Sequence, residues 1–156
     1  MRISEFLCSD AISANLQATE KKGIIEELVN LLIQAKAVDK KIKGKLVESL
    51  LAREALGSTA IGQGIAIPHC KYENVEKLTA ALGVSKKGIN FDSLDGEPAY
   101  VFFLLVAPLD SAGPHLKALA RISRLLKDKY YRDNLKSAKD EEVILKLLSQ
   151  ESDQTF

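Results

Sequence analysis

The chain has 156 residues, 46% hydrophobic and 28% charged, the composition of a globular domain long enough to bury a core of its own. Its 22 basic and 21 acidic residues are interspersed and leave a formal charge of +1, so nothing favours nucleic acid or an anionic membrane as a partner. No apolar run approaches the roughly 20 residues of a membrane span, Met1-Arg2-Ile3-Ser4-Glu5-Phe6 does not read as a signal peptide, and the two cysteines, Cys8 and Cys70, fit a cytoplasmic protein with reduced thiols.

Neither repeats nor a linker divide the chain, so one domain over 1–156 is expected. Residues 12–16 alternate apolar and polar, which predicts a half-buried strand. Thr19 is placed to cap a helix in which Ile24, Ile25, Leu28, Leu31, Leu32 and Ala35 recur at helical spacing. A second helix follows Asp39, with Ile42, Leu46, Leu50 and Leu51 on one face and Arg53 near its end. A loop over 56–64 leads into a strand at 65–68, and Ala80, Leu82 and Val84 predict another over 78–86. Asp95-Gly96 marks a turn. Tyr100 to Val106 is apolar throughout, as in a central strand covered on both faces. A helix over 114–127 follows, with Leu116, Leu119, Ala120, Ile122, Leu125 and Leu126 expected inward, and helical pieces near 129–136 and 140–149 close the chain. Interleaved helices and strands predict a layered α/β domain.

The chemistry gathers around the chain's two histidines. Gly57-Ser58-Thr59-Ala60-Ile61-Gly62-Gln63-Gly64-Ile65-Ala66-Ile67-Pro68-His69 puts an imidazole after a short strand, beside a loop rich in backbone donors. Imidazole is the side chain best suited to hold and pass on a charged group near neutral pH. His115 follows Gly113-Pro114, and proline suits the first helical position. His115 would then lie in a first turn, where free N–H groups favour a phosphoryl oxygen. If the strands ending at His69 and before His115 are parallel neighbours, both imidazoles share one edge of the sheet, where open α/β sheets gather ligands. Arg53 would add a planar fork of donors suited to phosphate, and Ser58 and Thr59 would add hydroxyls. The plain alternatives are a structural His69, a surface His115, a solvated Arg53 at its helix end and local capping by Ser58 and Thr59. No metal site or cofactor is expected, because the histidines and cysteines lack ligand spacing.

The string Leu56-Gly-Ser-Thr-Ala-Ile-Gly-Gln-Gly-Ile-Ala-Ile-Pro-His69 resembles the signature of the fructose/mannitol-type enzyme IIA domains of the bacterial phosphotransferase system. His115-Leu116 resembles that family's second histidine segment, and the likeness covers nearly the whole chain. It implies a mixed β-sheet flanked by helices, phosphorylation of His69, support from His115 and Arg53 as the nearby basic residue. Without attached IIB, IIC or HPr-like domains, the chain looks most like the nitrogen-regulatory branch, whose members take phosphate from an HPr-type carrier and bind regulatory targets. The family usually has glycine after the active histidine, whereas Cys70 stands here and would narrow partner access or add a redox-sensitive thiol. Gln63 stands where some members carry an acidic residue. Three functions follow as expectations. The first is a regulatory phosphocarrier on His69, the second a sugar-transport IIA component passing phosphate to a IIB component, and the third a binding module that does not use phosphorylation.

Overall fold

The strand β6 (Ala99–Ala107) is apolar along its whole length because helices cover the sheet on both sides of it. In the computed structural model, which describes residues 2–151, Val101, Phe103 and Leu105 enter one core cluster. Phe102, Leu104 and Val106 enter the other. Alternation along the strand dictates this split. Each fully buried Phe or Leu contributes about 1.5–3 kcal/mol relative to an exposed one, so this strand anchors both layers.

The other strands are β1 (Leu7–Ser13), β2 (Ala60–Gly62), β3 (Ile65–Ala66), β4 (His69–Lys71) and β5 (Thr79–Ile89). The sheet order is β1-β5-β6-β3-β2, and β4 also pairs with β6. The sheet is mixed: β5 is antiparallel to β6, while β3 and β4 both run parallel to it. On one face lie α1 (Lys21–Gln34) and α2 (Lys43–Leu56). On the other lie α3 (Ala112–Lys127), α4 (Lys129–Lys136) and α5 (Glu141–Glu151). The predicted mixed sheet flanked by helices is therefore the observed architecture.

Several local expectations shift. The first strand is Leu7–Ser13 rather than 12–16, because Leu7 and Ile12 find partners in Ala80 and Leu82 of β5. The cap of α1 is Glu20, not Thr19: the Glu20 carboxylate accepts from the Gly23 N–H at 2.8 Å. The loop over 56–64 contains β2, which turns back into β3 through Gln63-Gly64. Both turn residues have positive φ, 59° and 80°, the combination that matches the twist of a two-residue hairpin. The strand expected over 65–68 stops at Ala66, and the chain resumes pairing at His69, so His69 begins β4 rather than following a strand. Proline supplies the break, since Pro68 has no N–H to give the ladder.

The helix α3 begins at Ala112, two residues before the proline expected to open it. Its inward face is His115, Ala118, Ile122, Leu125 and Leu126, whereas Leu116 is 67% exposed and Ala120 also faces solvent. The rotation has a simple cause. The first turn of α3 overhangs the sheet at β4, and the side chain that meets the sheet there is the imidazole. Among the described residues, no helix is long and apolar enough to cross a membrane.

Candidate phosphoryl-transfer site

Parallel pairing decides the site. His69 lies opposite Leu105 on β6, Cys70 opposite Val106 and Lys71 opposite Ala107, so β4 and β6 end together. The chain leaves β6, turns through Pro108–Ser111 and enters α3, which brings His115 back over His69. The two imidazole centroids are 5.5 Å apart and the rings meet edge to face at 77°. The expectation that the strands are parallel neighbours and the histidines share one edge is met in geometry.

His69 is half-buried, and its Nδ1 lies 2.7 Å from the Ile67 carbonyl oxygen. A carbonyl only accepts, so Nδ1 carries the proton of that bond. In the neutral ring, Nε2 then holds a lone pair. Pro68 keeps Ile67 extended, and this turns the carbonyl toward the ring two residues on.

His115 is buried, and its Nε2 is enclosed without a hydrogen-bond partner. Burial holds its pKa below the ordinary 6.5, and the neighbouring His69 and Lys71 push in the same direction. The ring is therefore neutral near pH 7. Its backbone N–H already donates to the Ser111 carbonyl at 2.9 Å, so the free amide expected at this residue is absent and His115 presents only its ring.

Arg53 lies in the last turn of α2, and its Nη1 donates to the Gly57 carbonyl at 2.8 Å. That bond closes the helix end beside the glycine loop. Ser58 and Thr59 follow the plain reading of local bonding. Ser58 Oγ donates to the Phe91 carbonyl at 2.7 Å and accepts from the Ala60 N–H. Thr59 is buried and its hydroxyl donates to the Glu54 carboxylate. Both hydroxyl hydrogens are thus bonded to protein acceptors outside the loop, the Phe91 carbonyl and the Glu54 carboxylate.

Lys71 is a neighbour that the sequence reading passed over. It stands two residues after His69, so strand alternation puts it on the same face, and its charge is felt at His115. Cys70 points the other way. It packs with the α1–α2 core beside Tyr72, and burial pushes its thiol up from 9.0 to about 12. A thiol held this far from its thiolate form disfavours the redox-sensitive alternative, which requires thiolate character. Gln63 is remote from the imidazoles: Gly64 bonds Tyr100 near the start of β6, about 17 Å along the strand from Leu105 at ~3.3 Å per residue. Among the described residues, no group of three His, Cys, Asp or Glu side chains is placed to hold a metal ion.

The family profile described as "Phosphoenolpyruvate-dependent sugar phosphotransferase system, EIIA 2" matches residues 5–151. The chain belongs to this EIIA type-2 family.

Within it, relatives fall on two sides. The chain is 37% identical over 149 residues to the "Nitrogen regulatory protein" of Bradyrhizobium diazoefficiens, covering 96% of this chain and 95% of that protein. It is 38% identical over 150 residues to the "PTS system fructose-specific EIIABC component" of Bacillus subtilis, where 96% of this chain matches only 23% of a longer protein. The crystal structure of nitrogen regulatory protein IIA-Ntr from Neisseria meningitidis superposes with a TM-score of 0.84 at 32% identity, over 94% of this chain and 98% of that one. IIA mannitol from Escherichia coli shares the EIIA fold, with a TM-score of 0.75 at 22% identity over 90% of this chain and 96% of that one.

Proposed function

We propose that the chain is a phosphohistidine carrier that accepts a phosphoryl group on Nε2 of His69 from an HPr-type histidine phosphocarrier. The observation that carries this reading is the Nδ1–H bond to the Ile67 carbonyl, which leaves Nε2 as the nucleophile. In the transfer step, the Nε2 lone pair forms a new N–P bond while the N–P bond to the donor's imidazole breaks. The donor ring leaves with that electron pair, and no proton needs to leave His69. Positive charge then develops on the His69 ring and strengthens the hydrogen bond to the Ile67 oxygen. Catalysis reduces to positioning and charge stabilisation, as expected for phosphoryl transfer.

His115 supports the acceptor. A neutral ring whose Nε2 has no protein partner offers a hydrogen bond to a phosphoryl oxygen without adding an imidazolium beside the nucleophile. Arg53 and Lys71 supply positive charge at the rim. Ser58 and Thr59 act by shaping the loop. The downstream role in this reading is regulatory, through binding of target proteins, and the agreement in sequence and fold with nitrogen regulatory proteins favours it. A cytoplasmic location goes with it, consistent with the two free thiols. The identity to the fructose-specific protein supports a second reading, transfer onward to a IIB component.

Incubation with phosphoenolpyruvate, enzyme I and an HPr-type carrier should add one acid-labile phosphoryl group, located on His69 by peptide mass spectrometry and lost in His69→Ala. An unchanged intact mass with a competent donor refutes the carrier reading and leaves the phosphorylation-independent binding module. Chasing the phosphorylated chain with a IIB component separates the two downstream roles: rapid loss of label indicates transport, and retention indicates regulation.

A further inference from the structure

A buried carboxylate sits behind the glycine loop. Glu54 lies in the last turn of α2 with its side chain 2% exposed. Its Oε2 accepts from the Thr59 hydroxyl, its Oε1 accepts from the Thr59 N–H at 3.2 Å, and Lys21 Nζ stands 3.4 Å from Oε1. Lys21 in turn is 3.0 Å from Asp92 and 4.8 Å above the centre of the Phe91 ring. A carboxylate this enclosed is tolerated only with partners of this kind, and removing one is costly. The motif's first residues are thus clamped between the start of α1 and the end of α2.

The clamp continues to the imidazole. The Thr59 carbonyl accepts from the Ile67 N–H at 3.2 Å, and the Ile67 carbonyl accepts from His69 Nδ1 at 2.7 Å. Hydrogen bonds therefore join four groups residue to residue: carboxylate, Thr59, Ile67, imidazole. The N–H and C=O used at Thr59, and again at Ile67, belong to different peptide units, so the link is one of position: each bond fixes where the next residue sits. Support of this kind is what holds a reacting side chain in a single geometry.

We infer that Glu54 is a positioning residue for His69: through Thr59 and Ile67 it sets the ring's orientation and keeps the proton on Nδ1, so that Nε2 stays the nucleophile. The consequence for transfer rests on the phosphocarrier reading, but the effect on the tautomer does not. Lys21 is the counter-charge that makes the buried carboxylate tolerable, so the N-terminus of α1 also belongs to this support. The two hydroxyl-bearing residues of the motif are explained by the same arrangement, since Thr59 serves this link and Ser58 fastens the loop to Phe91.

The test is nitrogen-15 NMR of the full chain with labelled histidine rings, at a pH where His69 is neutral. The wild type should show Nδ1 protonated and Nε2 bare. Glu54→Gln loses an acceptor and the charge facing Lys21, and the ratio of Nε2–H to Nδ1–H in His69 should rise by up to about fivefold, the most that the loss of one hydrogen bond allows. The initial rate of His69 phosphorylation should fall in proportion to the loss of the Nδ1–H form, and so by less than that factor. A folded Glu54→Gln chain with an unchanged His69 tautomer ratio overturns the inference. If Glu54→Gln does not fold, Thr59→Val decides, because it keeps the carboxylate and the Thr59 amide bond and removes only the hydroxyl link. It should raise the same ratio by a smaller factor, and Thr59→Ser should restore it. No change in Thr59→Val likewise overturns the inference. A shifted tautomer in a chain whose wild type takes no phosphate refutes the carrier reading while the positioning link stands.

Discussion

The thiol next to the proposed acceptor makes a quantitative prediction. At pH 8 a cysteine with the ordinary pKa of 9.0 is about one-tenth thiolate. Burial lifts the Cys70 pKa to about 12, which lowers that fraction to about one in ten thousand. Alkylation proceeds through the thiolate, so native Cys70 should react with iodoacetamide about a thousandfold more slowly than Cys70 in the chain unfolded in guanidinium chloride. Global opening does not short-circuit this protection, because a domain with at least about 5 kcal/mol of stability is unfolded less than about 0.03% of the time. The assay is a timed labelling at pH 8, quenched and digested, with the Cys70 peptide quantified by mass spectrometry and the Cys8 peptide from the same digest as a reagent control. Raising the pH from 8 to 9 should speed labelling of native Cys70 close to tenfold, since the thiol remains far below its midpoint. A native rate within tenfold of the unfolded rate would refute the burial on which the raised Cys70 pKa rests.

Other outcomes follow from the same geometry. Cys70→Gly removes a packed side chain and adds backbone entropy. It should cost about 1–2 kcal/mol, read as a Tm lower by roughly 2–8 °C, with His69 phosphorylation retained. The depressed pKa of His115 means that, below pH 6.5, the unfolded chain takes up a proton that the folded chain refuses. Stability is therefore complete above about pH 6.5 and falls as the pH drops toward the folded value. Thermal unfolding of His115→Gln should lose part of this acid-side fall, and curves that stay parallel down to pH 5 would remove the buried, neutral His115. Gly64→Ala places a side chain at φ 80° and 3.2 Å from the Tyr100 ring, so it should destabilise by about 1–3 kcal/mol in a denaturant titration. Phe103→Ala, at the centre of the sheet, should cost about 3–5 kcal/mol in the same titration.

Much of this protein is written in local pattern. The spacing of Ile24, Ile25, Leu28 and Leu32 specifies α1, and these residues are fully buried in the folded chain. The unbroken run from Tyr100 to Val106 specifies a central strand, because only a strand covered on both faces needs no polar side. The Gly-Ser-Thr to Ile-Pro-His string picks out His69, because its residue types suit a strand end beside a glycine loop. What local pattern did not contain was the docking angle of α3. Read as a stripe of leucines, that helix buries Leu116. Placed over the end of β4, it buries His115 instead, because the facing surface and not the helix decides which side is covered. Nor does spacing reveal that β4 runs parallel to β6 and brings His69 within 5.5 Å of His115. That depends on a register between residues more than 30 positions apart. The same holds for Glu54, a charged residue that only the fold encloses between Lys21 and Thr59. Sequence alone determined the helices, the two long strands β5 and β6, and which imidazole is exceptional. Tertiary structure alone decided which nitrogen of that imidazole is left free, because this depends on where the Ile67 carbonyl is held.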